Sequence, residues 1–204
     1  MNVRWQTPLV DVADAAAQWR DLGDTEIIEE TGGKANAEVL GWCDLSPLPR
    51  TGAKGRMKKQ APPINGVKTA ASGALHCRLS EDEFLFLSAA DGAPLDLSMM
   101  SARLWLPRRD SHCWLGLCGA HADEVLSVLC AVPPPAAGEL LQTQAAAVAA
   151  IIIHASATSC PAYHILADSG YAHHLWDAIA AAAIPRGGNV IGWRQWREIF
   201  ADKK

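Results

Sequence analysis

The chain has 204 residues, which is long enough for one large domain or two small packed units. Half of the residues are hydrophobic and a fifth are charged, an ordinary composition for a globular protein. Its net charge of −4 and pI near 5.9 argue against nucleic acid or an anionic membrane as the main partner. The N-terminus lacks the apolar core of a secretory signal, and the longest apolar run, AAAVAAIIIHA, is shorter than the ~20 residues of a membrane helix. The six cysteines are scattered, as expected of reduced thiols, so we expect a cytoplasmic protein.

The first half of the chain, residues 1–110, has a weak pattern. Residues 9–22 are weakly amphipathic and predict a short helix, and TEIIEET (25–31) predicts a strand. Residues 44–70 are dense in Pro, Gly and Lys and predict an irregular loop, in which the basic run KGRMKK (54–59) is expected to be solvated. ALHCRLS and EFLFLSA, joined by SEDE, predict a hairpin, and ARLWLP predicts a further strand.

The second half, residues 111–204, has a clearer pattern. CWLGLC (113–118) predicts a strand that ends at Gly119, and apolar residues at 122, 125, 126, 129 and 130 predict an amphipathic helix that Pro133–Pro135 stops. AAAVAAIIIHA (145–155) and PAYHILAD (161–168) predict two buried strands around the loop SATSC.

A second helix is expected after Asp168 and Ser169, which are candidate N-caps, with an apolar stripe from Ala172 to Ala183. NVIGW (189–193) then predicts a last strand, and a polar tail follows. The order β-α-β-β-α-β is the split βαβ pattern of a ferredoxin-like unit.

The cysteines and their neighbouring histidines show no convergent chemistry. Cys113 and Cys118 lie five residues apart on one strand and therefore face opposite sides of the sheet, while Cys130 belongs to the helix stripe. His112 beside Cys113, and His76 beside Cys77, likewise diverge, so a thiolate–imidazole pair is not expected. We expect buried thiols and no metal site.

Other polar groups also favour structural roles. His173 precedes Asp177 by four residues, which permits an exposed pair, and His174 lacks further ligands at matching spacing. Glu81, Asp82 and Glu83 are expected to be turn residues at a hairpin tip, which offers no burial to raise a carboxyl pKa. The residues therefore predict no catalytic, cofactor-binding or metal-ligating side chain.

Several collinear segments together carry a family resemblance over residues 48–193. LPRTGAKG, RLSEDEFLFL, SHCWLGLCGAHADEVLSVLC, QTQAAAVAAIIIHA and AYHILADSGYAHHLWDAIAAA resemble the gamma subunit of heterotetrameric sarcosine oxidase and, as closely, the small subunit of N-methylglutamate dehydrogenase. Both are similar to the folate-binding aminomethyltransferases of the glycine-cleavage type. The resemblance implies an α+β fold of two packed ferredoxin-like halves, the first degraded and the second, from residue 111, regular.

The resemblance also supplies a test for a folate site. In the aminomethyltransferases a pair of aspartates precedes the hairpin that RLSEDEFLFL resembles, and one of them acts at the folate amine. The matching positions here are Ser72 and Gly73. Neither residue replaces a carboxylate electrostatically. The family's amphipathic helix after RTGAKG is also replaced by RMKKQAPPING, which has two prolines and no apolar stripe.

The function that the resemblance implies is that of a non-catalytic subunit. Complexes of this kind oxidatively demethylate a secondary amine and pass the one-carbon unit to tetrahydrofolate, and their FAD, FMN, NAD and folate sites lie mainly on larger chains. This chain would bind no cofactor and would contact larger flavoprotein and folate-binding subunits through an exposed apolar surface that carries tryptophan. Some of its eight tryptophans are expected to pack in cores and others to serve this surface. Two alternatives stay open, a stand-alone folate-binding domain and a homodimeric ferredoxin-like small-molecule-binding module.

Overall fold

The computed structural model describes residues 4–32, 39–58, 60–155 and 160–200. Lys59 of the basic run, residues 156–159 of the loop SATSC and residues 201–204 of the polar tail lie outside this part. The described residues form these strands and α-helices, in chain order: β1 (Gln18–Asp21), β2 (Glu26–Glu30), β3 (Gly41–Asp44), β4 (Arg50–Met57), β5 (Val67–Thr69), β6 (Leu75–Arg78), β7 (Glu83–Leu87), β8 (Met100–Pro107), β9 (His112–Cys118), α1 (Ala122–Leu129), β10 (Leu140–Ala145), β11 (Val148–His154), β12 (Ala162–Asp168), α2 (Ala172–Ala183), β13 (Asn189–Val190) and α3 (Trp193–Phe200).

The strands form two large sheets and one small one. The first large sheet has the order β10-β11-β12-β9-β3-β13, the second has the order β5-β6-β7-β4-β8, and β1 pairs with β2. Neighbouring strands are antiparallel except for the parallel pair β3–β13. The mixed α+β class predicted from the sequence is confirmed.

Side chains of β9 and β12 alternate between two cores, which explains their nearly continuous apolar sequences. On β9, Cys113, Leu115 and Leu117 join the cluster that also contains the buried faces of α1 and α2, whereas Trp114 and Cys118 join the opposite cluster. That second cluster fills the space between the two large sheets and also takes in α3. The six-stranded sheet is therefore the central layer of the molecule.

The sheet of the second half contains the predicted strands and two additional ones. The helix stripes are buried as expected, but Leu140–Ala145 forms an extra strand that pairs with β11 through a tight turn at Ala146 and Ala147, both with positive φ. The sheet also contains β3, which pairs with β9 from across the boundary predicted at residue 110. The observed sheet thus has two strands more than the predicted βαββαβ unit.

Three other predictions are wrong. Residues 9–22 form a short 3₁₀ turn and β1 in place of a helix. The expected irregular loop at 44–70 contains the eight-residue strand β4, which pairs with β7 on one side and with β8 on the other. The predicted strand NVIGW is a strand only at Asn189–Val190, because Trp193 begins the amphipathic helix α3. This helix continues into the expected polar tail and buries Trp193, Trp196 and Ile199.

The tryptophans mostly serve the cores. The expectation that some tryptophans pack in cores is met by Trp42, Trp114, Trp176, Trp193 and Trp196. Trp19 and Trp105 are exposed. No helix in the described ranges is both long and apolar enough to cross a membrane.

Arg50 joins the two large sheets at the start of β4. It is 5% exposed, and its guanidinium donates to the carbonyl oxygens of Ser46 and Leu48 in the β3–β4 loop. From the other side it donates to three carbonyl oxygens around the β8–β9 turn: Arg108 (3.2 Å), Arg109 (2.7 Å) and His112 (2.5 Å). Burial lowers the pKa of Arg50 to about 10, so it stays charged at neutral pH.

Asp44 completes this junction from β3. Its buried carboxylate accepts hydrogen bonds from the Thr7 hydroxyl and from the backbone N–H of Ser46, at 2.9 Å in the latter case. The Ser46 hydroxyl in turn accepts from the backbone N–H of Trp114 in β9. The connection between the sheets is therefore fixed by charge-assisted hydrogen bonds.

Replacing Arg50 with Ala is expected to lower the free energy of unfolding by about 3 kcal/mol or more, because buried carbonyl groups lose a charged donor. Arg56→Ala, on the same strand but exposed, is the matched control and is expected to change stability by less than about 0.5 kcal/mol. Urea unfolding measures both. Equal midpoints for R50A and R56A would contradict the role given to Arg50.

Candidate functional site

An open cleft of about 830 Å³ lies at one end of the five-stranded sheet, where β4 and β8 meet the β6–β7 hairpin. Arg56, Arg78 and Arg103 line it together with Glu81, Asp82 and Phe84. The sequence analysis did not find this site, because the three arginines lie far apart in the chain and strand pairing brings them together. Only Arg56, within the run KGRMKK, carried a local signal.

The three arginines of the cleft differ in how firmly they are held. Arg78 donates to the carbonyl oxygens of Ser80, Pro62 and Glu81 and lies over the Phe84 ring. Arg103 pairs with Asp82 at 2.5 Å, in an exposed position. These contacts suit a fixed positive surface that binds carboxylate or phosphate groups.

A β-bulge shapes the floor of the cleft. The pairing of β4 with β8 shifts register between Lys54 and Gly55, where Arg103 is the extra residue. Gly55 has φ 155°, and a Cβ at this position would lie 2.3 Å from the Ser101 carbonyl oxygen. The close approach of the two strands therefore requires glycine here, and the bulge turns Arg103 toward Asp82.

A second polar cluster lies beside the Arg50 junction. The Glu83 carboxylate pairs with Arg108 at 2.6 Å and with Lys54 at 3.4 Å, and Arg108 Nη1 lies 3.3 Å from His112 Nε2. Glu83, predicted to be a turn residue, is thus a half-buried member of β7. For Asp82 the prediction of a simple turn residue is also incomplete, since it pairs with Arg103.

Ser111 and His112 are close without being a nucleophile and its base. Since Arg108 donates to His112 Nε2, the proton of the ring lies on Nδ1 and points at the Ser111 hydroxyl, 2.8 Å away. The Ser111 hydroxyl donates to the Pro107 carbonyl oxygen. Burial, together with the charges of Arg108 and Arg50, lowers the pKa of His112 to about 4. The arrangement does not activate the serine.

The cysteines are placed as the sequence predicts. Cys113 and Cys118 are buried on opposite faces of β9, and Cys130 packs in the helix-side cluster just after α1. Burial raises the pKa of the Cys113 thiol to about 11 and that of Cys130 in the same direction. Within the described ranges, no group of three or more His, Cys, Asp or Glu side chains could hold a metal ion.

The histidines of α2 contact other elements. His173 Nε2 lies 3.3 Å from Asp11, so the pair predicted with Asp177 is replaced by a contact with the N-terminal segment. His174 Nε2 lies 2.8 Å from the Ala146 carbonyl oxygen in the β10–β11 turn. Both contacts are on the protein surface and tie α2 to its neighbours.

No protein-family model and no curated protein sequence matches this chain. Among solved structures, the glycine cleavage system aminomethyltransferase T from Bartonella henselae superposes with a TM-score of 0.74 at 15% identity, over 96% of this chain and 62% of that one. A heterotetrameric sarcosine oxidase from Corynebacterium sp. U-96, in complex with pyrrole 2-carboxylate, gives a TM-score of 0.60 at 13% identity, over 97% of this chain and 98% of the matched chain.

The chain shares the fold of these two proteins. Both neighbours match the relation predicted from the sequence, and at such identities the likeness concerns the fold alone. The chain spans only about 62% of the aminomethyltransferase that it matches.

Ser72 and Gly73, the positions that resemble the transferase aspartates, lie in the turn before β6. Gly73 has φ 86°, and the Ser72 hydroxyl accepts a weak hydrogen bond from the backbone N–H of Ala74 at 3.4 Å. Both residues serve the turn between β5 and β6, and neither supplies a charge.

His164 is a fully buried histidine on β12 in the core between the large sheets. Its Nδ1 accepts from Trp114 Nε1 at 3.1 Å, and its ring packs against Trp196 and Phe200. Its Nε2 has no hydrogen-bond partner within the described ranges. Burial lowers the pKa of His164 from 6.5 to about 3, so the ring is neutral in the folded protein.

His164 is expected to make the protein acid-sensitive. Between pH 6.5 and 3 the unfolded chain binds a proton at this residue that the folded chain excludes, so stability is lost as pH falls. The expected slope is about 1.4 kcal/mol per pH unit. Burial raises the pKa of Asp44, which acts in the opposite direction.

Comparing variants isolates the contribution of His164. Between pH 6.5 and 3, the unfolding free energy of H164F, measured with urea, is expected to depend less steeply on pH than that of the unchanged chain, by about 1.4 kcal/mol per pH unit. This difference is expected whatever the stability of H164F at neutral pH. V128A, which replaces an exposed residue without a titrating group, is the control and should keep the original slope. Parallel pH profiles for H164F and the unchanged chain would contradict the assignment.

Proposed function

We propose that this chain is a non-catalytic small subunit of a complex like sarcosine oxidase or N-methylglutamate dehydrogenase. The observation that carries the proposal is the extent of the two structural matches. The chain aligns with 98% of a chain from the heterotetrameric oxidase, but with 62% of the aminomethyltransferase. A fold that matches an oxidase chain along nearly its whole length suits the same place in a hetero-oligomer.

The proposed complex oxidatively demethylates a secondary amine and transfers the one-carbon unit to tetrahydrofolate. Its FAD, FMN, NAD and tetrahydrofolate bind to larger flavoprotein and folate-binding chains, and this chain supports their assembly in the cytoplasm. Two ferredoxin-like halves, divided near residue 110, belong to the same proposal.

The local chemistry supports a structural role. Ser72 and Gly73 offer no carboxylate at the positions that resemble the transferase aspartates. The Ser111 hydroxyl donates a hydrogen bond to the Pro107 carbonyl oxygen. The Glu83 carboxylate pairs with Lys54 and Arg108. The polar side chains that most resemble catalytic groups therefore form contacts that stabilise strands and turns.

A folate-binding, aminomethyltransferase-like domain is the second candidate. The higher TM-score, 0.74 against 0.60, favours it. It requires tetrahydrofolate to bind the isolated chain, which the subunit proposal does not.

The tagged full-length chain, recovered from the source cells, is expected to bring down a large flavoprotein in stoichiometric amounts with flavin absorbance in the eluate. The tag alone is the control. Tetrahydrofolate is expected to bind the recovered complex and not the isolated chain, as measured by calorimetry.

Other outcomes separate the candidates. Recovery of the chain alone, with tetrahydrofolate binding to it, would reject the subunit proposal in favour of the folate-binding domain. Recovery as a stable pair of identical chains without folate binding would favour a homodimeric module and reject both.

A further inference from the structure

The outer edge of β8 combines backbone, apolar and charged features that fit a partner. β8 is eight residues long and, among the residues that the structure describes, pairs only with β4, so its other side ends the five-stranded sheet. Such an edge presents unpaired N–H and C=O groups to another strand. The other edge strands of the large sheets are shorter: β5 has three residues, β13 has two, and β10 has six with exposed glutamines.

Large apolar side chains are exposed on both faces of this edge. Leu104 is 54% exposed and lies opposite Lys54, whereas Trp105 is 44% exposed and lies opposite Ala53. Since adjacent residues of a strand point to opposite faces, a strand added to β8 would place its own side chains against Leu104 on one face and Trp105 on the other. The surface therefore suits an extended segment better than a helix lying on one face.

The charge beside the edge specifies the segment further. The basic residues on β4 and β8 or directly after them are Lys54, Arg56, Lys58 and Arg103. Of the acids nearby, Asp82 and Glu83 already pair with cations of this surface, and Glu81 also lines the cleft. Arg56 is exposed, without a partner among the described residues, and Arg103 keeps 74% of its side chain exposed. This positive region lies on a chain whose net charge is −4. Carboxylates are its complementary groups.

We propose that β8 binds an extended acidic segment of a partner chain, which adds a strand to the sheet and directs carboxylates into the arginine cleft. The part of the segment beside Leu104 and Trp105 carries apolar side chains on both faces, and the part beside Arg103 and Arg56 carries acidic ones. This inference rests on the proposed function, because it names the surface through which the subunit meets its larger flavoprotein partner.

The test uses the full chain with a photo-crosslinking amino acid at position 105 or, as a control, at position 19. Trp19 is 39% exposed on the two-stranded sheet, so it matches Trp105 in residue type and exposure. Crosslinking in the source cells is expected to join position 105 to an acidic, extended segment of the flavoprotein, mapped by mass spectrometry, and to give no such product from position 19.

Paired substitutions test the same surface by affinity. W105S and R103E are each expected to weaken binding of the purified flavoprotein roughly tenfold or more, as at an interface hot spot. W19S and R194E are the controls, since Arg194 also forms an exposed ion pair, with Glu30. Urea midpoints should stay close to that of the unchanged chain for all four variants.

The outcomes separate this inference from the proposed function. If the unchanged chain binds the flavoprotein and the β8 variants bind it equally well, with no crosslink at position 105, the β8 inference fails while the subunit proposal stands. A crosslink between two copies of this chain also overturns it. If the unchanged chain binds no flavoprotein, both proposals fail.

Discussion

The buried guanidinium of Arg50 is the constraint on which the rest of the structure depends. It donates to carbonyl groups of the β3–β4 loop and of the β8–β9 turn, and these are the two places where the chain crosses between the large sheets. With that junction fixed, the apolar faces of β6, β7, β9 and β12 enclose one core, and Trp196 packs against the backbone of β9 near Gly116. The same junction positions β8 as a free edge.

The second half of the fold was the more predictable, because its helices and central strands carry strong local patterns. The first half was less so. The strand β4 is rich in Gly, Lys and Arg, and its structure depends on pairing with β7 and β8, which no local pattern records. Trp193 ends the segment predicted as a strand and Trp196 stands among charged residues, so no local pattern shows the buried face of α3.

Of the candidate site, the sequence did not predict the cleft. Strand periodicity predicted that Cys113 and Cys118 face opposite sides of the sheet, and this is confirmed. The arginine cleft depends on a β-bulge at Gly55 and on the pairing of β4 with β8, two strands that lie far apart in the chain. The large number of tryptophans suggested an interface, but the sequence does not show which of them are exposed. Trp105 is a candidate contact because the fold places it on the edge strand β8.

The most direct test of the subunit proposal is native mass spectrometry of the flavin-containing fraction, purified from source cells without a tag by following flavin absorbance. The account predicts an assembly that contains this 21.8 kDa chain in fixed stoichiometry with larger chains and that releases it intact on activation in the gas phase. A flavoprotein fraction free of this chain, with the chain found elsewhere at its own mass, would contradict the account.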